Sequence, residues 1–447
     1  MPKIIIVNVP EEMVGDLEKL NLDKRKAFGA GAQRILWYTE PGDIIVLPYP
    51  PTQEFMEYVT ALTGVDPASL TIVIPAPGRF GPHILTADRI LAPDFHRDLG
   101  KVLTDRPVDR LLCTYNDSSI TGLASVLHIE DALSGFAFSD QGGDALINSK
   151  AVFRAVAAGN GIPIAPGVIT NQPARAEHAI AELLDQGFPV MVKQEFAGGG
   201  LGNEVLSRSE DVRPSGARNV RLLPDRASVR RYLEERWSWL TGHKGHNLVI
   251  ERFFPDSLTV YAEFDSTEEG CVFRGSGEIL MEPTAVGEII PPQSIGPEEQ
   301  SELVAMAERA CKPFHGMGYR GTLCADAVRT PSGELFFTEV NGRLTASSHL
   351  HVNLVDRVVG REHRDSRVFL ERAAGWSVSS FDEALRLLER SGAAYDPRSR
   401  KGVVVTADYT STLGKVTYCA ISENLDGVRR LEELVQESTT APGGANQ

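Results

Sequence analysis

With 447 residues the chain is too long for one compact core, so two or three domains are expected. Hydrophobic residues at 42% and charged residues at 23% are ordinary for a globular protein, but a formal net charge of −15 repels nucleic-acid phosphates and anionic lipid headgroups. Five scattered cysteines without a CxxC pair argue against a disulfide framework or a zinc site, and no apolar run nears the ~20 residues of a membrane helix. A cytoplasmic protein without nucleic-acid or membrane partners is expected.

In chain order, residues 3–9, 43–48, 70–75, 89–92 and 110–114 are short apolar runs that predict strands of a parallel sheet. The first reads as a strand, not a signal peptide. Helices are predicted between them at 53–62 and 119–127, giving an α/β layer over residues 1–140. A polar stretch, 142–148, predicts a boundary, and a helix over 149–159 follows. Strands are predicted at 189–194 and 204–207 around a glycine run, with a loop over 208–225. Antiparallel strands at 248–254, 259–264 and 273–280 precede a helix over 297–317. A hairpin over 322–340 turns at Thr330-Pro331-Ser332-Gly333. From 361 to 437 the pattern is a small α+β appendage, with strands at 402–409 and 415–421 flanked by helices at 381–391 and 424–437. Residues 438–447 read as a disordered tail.

The most informative segment runs from Asp326 to Arg343. Glu339 and Asn341 are two apart in a strand and share a face, with Asp326 on the paired strand. Two carboxylates and an amide oxygen make a hard-oxygen site suited to Mg2+, and Arg343 adds a fork of donors for a phosphoryl or acyl-phosphate oxygen. On spacing alone a solvated edge hairpin explains the segment about as well. Upstream, a strand ends in Lys193 and opens into Gly198, Gly199, Gly200 and Gly202, where glycine N–H groups and a lysine favour phosphate. Neither a Walker A loop nor a dinucleotide fingerprint fits this order. A third run, Asn247 to Phe254, places Glu251 at a strand end before two aromatics.

Taken in order, Lys150, Lys193, the glycines, Glu251, Asp326 and Glu339-x-Asn341 resemble the ATP-grasp superfamily over residues 140 to 355. The resemblance implies an ATP-grasp fold: an N-terminal α/β pre-ATP-grasp domain (1–140), a two-lobed ATP-grasp domain (141–360) and the α+β appendage. It implies that Lys150, Lys193 and the glycine loop hold the ATP phosphates. Glu251, Arg252, Phe253 and Phe254 would form the adenine hinge, with Asp256 the nearest candidate for the ribose. Asp326, Glu339 and Asn341 would bind two Mg2+ ions, and Arg343 with Lys193 would act in catalysis. Cys324 stands where D-alanine ligases carry an arginine, and Arg343 followed by Ser347, Ser348 and His349 resembles the carboxylate–amine ligases. The whole chain is similar to stand-alone peptide ligases of antibiotic biosynthesis, of the kind that make pheganomycin. That implies an amino-acid carboxylate donor, a peptide amine acceptor and an ADP-forming reaction. A long acceptor would need a groove in the first domain or the appendage. Ligation of free amino acids, or nucleotide binding without turnover, are the alternatives, and a homodimer is allowed.

Glu288 is a candidate for the amine substrate. His349 and His351 lack a third ligand for zinc and read as pocket residues. Residues 29–34 mimic a dinucleotide loop but lack a preceding strand. Asn116 and Asp117 sit where first-domain loops of this superfamily meet substrate.

Overall fold

The computed structural model describes residues 1–104 and 106–440. Strands β1 (Lys3–Ile6), β2 (Ile44–Val46), β3 (Thr71–Val73) and β4 (Arg110–Cys113) form an all-parallel sheet in the order β3-β2-β1-β4. Ile4, Ile5, Ile6, Ile44, Ile45 and Val46 are fully buried, because helices cover both faces. The expected strand at 89–92 is instead a short helix, Ala87–Ile90. Arg89 makes that segment bury: its guanidinium donates to the carbonyls of Pro48, Pro75, Ala76, Pro82 and Ile84, gathering loops that would otherwise leave buried acceptors unmet.

A second sheet holds β5 (Gly167–Thr170), β6 (Val190–Gln194), β7 (Asn203–Ser207), β8 (Val220–Leu222) and β9 (Leu248–Arg252), ordered β5-β9-β6-β7-β8. The helices Pro173–Asp185 and Arg226–Thr241 bury their apolar faces on it in a core of their own. The stretch 208–225 is not all loop, since β8 pairs in parallel with β7.

The third sheet is antiparallel and has eight strands: β10 (Leu258–Ser266), β11 (Cys271–Met281), β12 (Ala285–Ile290), β13 (Gly321–Arg329), β14 (Leu335–Asn341), β15 (Val368–Ser377), β16 (Gly402–Asp408) and β17 (Lys415–Ser422). They are ordered β14-β13-β10-β11-β12-β15-β17-β16. The helix Pro297–Gly316 packs Leu303, Ala307, Cys311 and Phe314 against Val260, Phe264, Leu323 and Phe337. Strands β15, β17 and β16 thus continue the sheet that carries the 326–341 hairpin, so the expected appendage is sewn onto it. It also shares a core with the first sheet, where Phe55 meets Phe381 edge-to-face at 5.5 Å. The last helix runs to Thr440, so the tail expected from 438 starts within a helix, and residues 441–447 lie outside the described residues. No helix among the described residues is long and apolar enough to cross a membrane.

Candidate active site

The hairpin β13–β14 pairs Asp326 directly with Glu339, next to a bulge between Asp326 and Ala327. The pleat brings Asn341 to the same face, where its Nδ2 donates to Asp326 Oδ2 at 2.9 Å. Arg343 donates from its guanidinium to Asn341 Oδ1 at 2.7 Å. Desolvation and the neighbouring Glu339 push the Asp326 carboxyl well up from its usual range. Desolvation works the same way on Glu339, but Lys150 and Lys193 outweigh it and hold that carboxyl low. Two carboxylates share one site, and the lysines decide which of them ionises first.

Lys150 opens the helix Lys150–Gly159, capped by Ser149. Its ammonium sits 2.9 Å from Glu339 Oε2 and donates to the Ala197 carbonyl at 2.8 Å, tying the hairpin to the glycine loop. Lys193, at the end of β6, sits 2.6 Å from Glu251 Oε1 at the end of the neighbouring β9. The other oxygen of Glu251 takes Arg154 at 2.8 Å. Arg154 was not among the expected residues, yet it stands one helical turn after Lys150, on the same face. That i, i+4 pairing was the available signal.

Lys150, Lys193, Glu251, Asp326, Glu339, Asn341 and Arg343 line one cleft of about 390 Å³ between the second and third sheets. Its apolar part is walled by Met191, Phe253, Phe254, Ile279, Met281 and Val328. Phe254 stacks on Phe336 at 4.6 Å and 7°, while the Arg252 guanidinium lies over Phe188 and Phe254. The Phe253 N–H is spent on the Pro189 carbonyl at 2.8 Å, which leaves it no donor role at the hinge. In the glycine loop, Gly199 (φ 62°) and Gly200 (φ 75°) adopt left-handed backbone, and a Cβ on Gly200 would sit 2.7 Å from the Gly216 carbonyl oxygen. Both line the cleft; Gly198 and Gly202 lie just outside, Gly198 against the Arg343 guanidinium and Gly202 against Ala197 and Gln194.

Lys150, Lys193, Gly199, Gly200, Glu251, Arg252, Phe253, Phe254, Asp326, Glu339, Asn341, Arg343 and Ser347 therefore meet in one place. Cys324 joins them, its Sγ 3.5 Å from Asp326 Oδ1. Besides Gly198 and Gly202, four expected residues do not line this cleft: Asp256, Ser348, His349 and Glu288. Asp256 is exposed in a turn with φ 57°. Ser348 and His349 lie on the buried side of the turn Ala346–His349, Ser348 donating to Glu263 Oε2 at 2.7 Å and His349 meeting the Asn353 amide at 3.2 Å. Glu288 is buried on β12 opposite Glu371; burial, then Glu371, pushes its carboxyl up. Asn116 lines a separate cavity, while Asp117 caps the helix Ser118–Leu127. Among the described residues no three His, Cys, Asp or Glu cluster as a metal site; the hairpin offers two carboxylates and an amide, with the Cys324 thiol beside them.

Three families match successive parts of the chain: the Pre ATP-grasp domain over residues 32–129, the ATP binding domain of the carbamoyl-phosphate synthase L chain over 149–237, and the PGM1 C-terminal domain over 383–435. The [butirosin acyl-carrier protein]–L-glutamate ligase of Niallia circulans is 25% identical over 228 residues, which are 50% of this chain and 49% of that protein. Mitochondrial pyruvate carboxylase of Rattus norvegicus is 23% identical over 47% of this chain and 16% of its own length. The chain thus spans about half of the first relative and a small part of the second. Among solved structures, an N5-carboxyaminoimidazole ribonucleotide synthetase in complex with ADP superposes over 97% of this chain and 96% of its own, at TM-score 0.58 and 12% identity. The biotin carboxylase domain dimer of Hydrogenobacter thermophilus 2-oxoglutarate carboxylase, solved with MgADP, ADP and bicarbonate, covers 97% and 89% at TM-score 0.59 and 14% identity. At these identities the superpositions establish the fold.

Proposed function

The chain belongs to the ATP-grasp superfamily, and from that premise we propose that it is an ADP-forming ligase joining an amino-acid carboxylate to the amino group of a peptide. The observation that carries this reading is the convergence of Lys150 on Glu339 and Lys193 on Glu251 in the cleft that also holds Asp326, Asn341 and Arg343. The donor set fits a hard divalent cation: Asp326 and Glu339 bring carboxylate oxygens to one face, and the Asn341 amide oxygen, taken by Arg343, lies beside them. These three would hold two Mg2+ ions, which neutralise charge on the transferring phosphoryl group when bound.

The chain's own residues account for the rest. Met191, Phe254, Ile279 and Met281 wall a slot for a flat adenine, with the Phe254 backbone as the hinge donor. Lys150 and Lys193 are held by carboxylates that phosphates can displace or bridge, so they are already desolvated and aimed. The donor carboxylate attacks the γ-phosphorus, ADP leaves, and Arg343 steadies the acyl phosphate. The peptide amine then attacks the acyl carbon and phosphate departs. Gly199 and Gly200 let the loop fold over the phosphates and keep water from the acyl phosphate. The setting of this reading is antibiotic or related peptide biosynthesis, which rests on the resemblance of the whole chain to stand-alone peptide ligases.

The test is incubation with Mg-ATP, a panel of amino-acid carboxylates and peptides, followed by ADP release and product mass. A ligated product of mass donor plus acceptor less water is expected. ATP consumption without any ligated product would leave a nucleotide-binding protein instead.

A further inference from the structure

A second cavity of about 600 Å³ shares Arg343 and Leu344 with the cleft. One wall is β4, the edge strand of the first sheet. Its register with β1, Lys3↔Arg110 through Ile6↔Cys113, and the Thr114 N–H bond to the Ile6 carbonyl (3.1 Å) turn the backbone groups of Arg110, Leu112 and Thr114 toward β1. Those of Leu111 and Cys113 consequently face the other way, and both residues line the cavity. At the inner end the Leu344 N–H donates to the Thr114 carbonyl at 3.2 Å, so the chain leaving the 326–341 hairpin meets the end of β4.

The cavity also holds buried polar groups: Asn353 is fully buried, and the buried Tyr38 hydroxyl lies beside its side chain. Toward β1's start the lining carries both charges: Arg110 is exposed with Glu40 at 3.8 Å, and Arg357 spends its guanidinium on the carbonyls of Trp37 and Thr39. The exposed Arg110 is the group at that mouth able to take a carboxylate.

We propose that this cavity is the acceptor site, and that it takes an extended peptide as an added strand antiparallel to β4. The inference rests on the ligase reading above. β4 runs from Arg110 toward Leu344, and the reacting amine must lie at Arg343. The peptide therefore runs opposite to β4, amino end at Arg343 and carboxyl end at Arg110. Bonds to Leu111 and Cys113, two residues apart, span roughly 7 Å, so three or four residues fill the edge. A free amino acid reaches only one end.

Isothermal titration tests this on protein loaded with Mg2+ and a non-hydrolysable ATP analogue. The probes are alanine, tetra-alanine, tetra-alanine amide, and tetra-alanine N-methylated at its second or at its third residue. Tetra-alanine is expected to bind at least tenfold more tightly than alanine. N-methylation should weaken binding roughly 5–10-fold at one of the two adjacent positions and be tolerated at the other, since alternate amides face the edge. Arg110→Glu, a change at an exposed side chain, should weaken the free acid and leave the amide unaffected. Equal binding of alanine and tetra-alanine, or equal behaviour of both N-methyl peptides, overturns the strand-addition site. Failure of the analogue itself to bind overturns the ligase reading and this proposal with it.

Discussion

Glu251 is 5% exposed and neutralises two cations at once, Lys193 at 2.6 Å and Arg154 at 2.8 Å. Glu251→Gln keeps the volume and removes the charge, leaving two buried cations facing one amide oxygen. With an effective dielectric of about 20, each attraction at such a separation is on the order of 6 kcal/mol. Desolvation cancels much of that, and breaking a buried ion pair costs about 3–5 kcal/mol. For a lobe of this size the unfolding midpoint should fall by about 10 °C. The proposed phosphate role adds a second, opposite expectation. Bound phosphates supply the anion that Lys193 has lost, so a non-hydrolysable Mg-ATP analogue should raise the variant's midpoint more than the wild type's. Differential scanning fluorimetry with and without the analogue reads both. A midpoint within about 2 °C of wild type would refute the triad's structural role. Equal ligand-induced shifts would refute the handover of Lys193 to phosphate.

Asp326→Asn combined with Glu339→Gln should abolish substrate-dependent ADP release while leaving the far-UV circular dichroism unchanged; retained turnover would remove the metal assignment from this hairpin. Arg343→Ala should lower turnover about 100-fold or more and change analogue affinity only a few-fold, the pattern of a group needed in the transition state. Burial pushes the Glu263 carboxyl up to about 8 from a usual 4.5. A folded-state value raised in this way favours the native state at low pH, and that contribution is lost as pH climbs from about 4.5 to about 8. Glu263→Gln should therefore be more stable than wild type by a few kcal/mol at pH 8.5 and nearly equal to it at pH 5, measured by urea denaturation. A stability difference independent of pH would contradict this.

The geometry of the Asp326–Arg343 hairpin was legible in the sequence because its information is local. Glu339 and Asn341 two apart, and a turn with Gly333 at φ 93°, fix a face and a register without knowledge of the rest. The cleft lysines were legible by order along the chain. Arg154 was readable from its spacing to Lys150 and was passed over. What stayed hidden is non-local. Nothing in residues 368–422 says that β15 lies beside β12, since any antiparallel sheet edge would satisfy the same alternation. Glu288, Ser348 and His349 have the chemistry of substrate ligands, but the pleat of β12 and the turn Ala346–His349 put them behind the cleft wall, leaving Ser347 in front. The burial of Arg89 likewise depends on tertiary contacts, five carbonyls of which four lie within 14 residues and one, Pro48, 41 residues away.

The eight-stranded sheet also determines which parts of the site can move against each other. β15 and β16 bind the first sheet to the hairpin sheet: Trp37 Nε1 donates to the Thr406 carbonyl at 3.0 Å, the Tyr58 hydroxyl accepts from Val405 N–H at 3.1 Å, and Arg34 pairs with Glu371. Their apolar residues lie in one continuous core. The β4 edge, Arg343 and the carboxylates of the hairpin thus ride on a single packed body, although the segment that locks it contributes no residue to the cleft. Lys193 and the glycine loop ride on the second sheet, whose core is separate. That lobe meets the rest through polar links, some exposed, such as Lys244 to Glu11 at 3.1 Å, and some buried at the cleft, such as Arg154 to Glu251 at 2.8 Å, with no shared apolar core among the described residues. In the proposed reaction, closure therefore belongs to the lobe that carries Lys193 and the glycine loop, which can open to release ADP while the proposed acceptor strand stays aligned with Arg343.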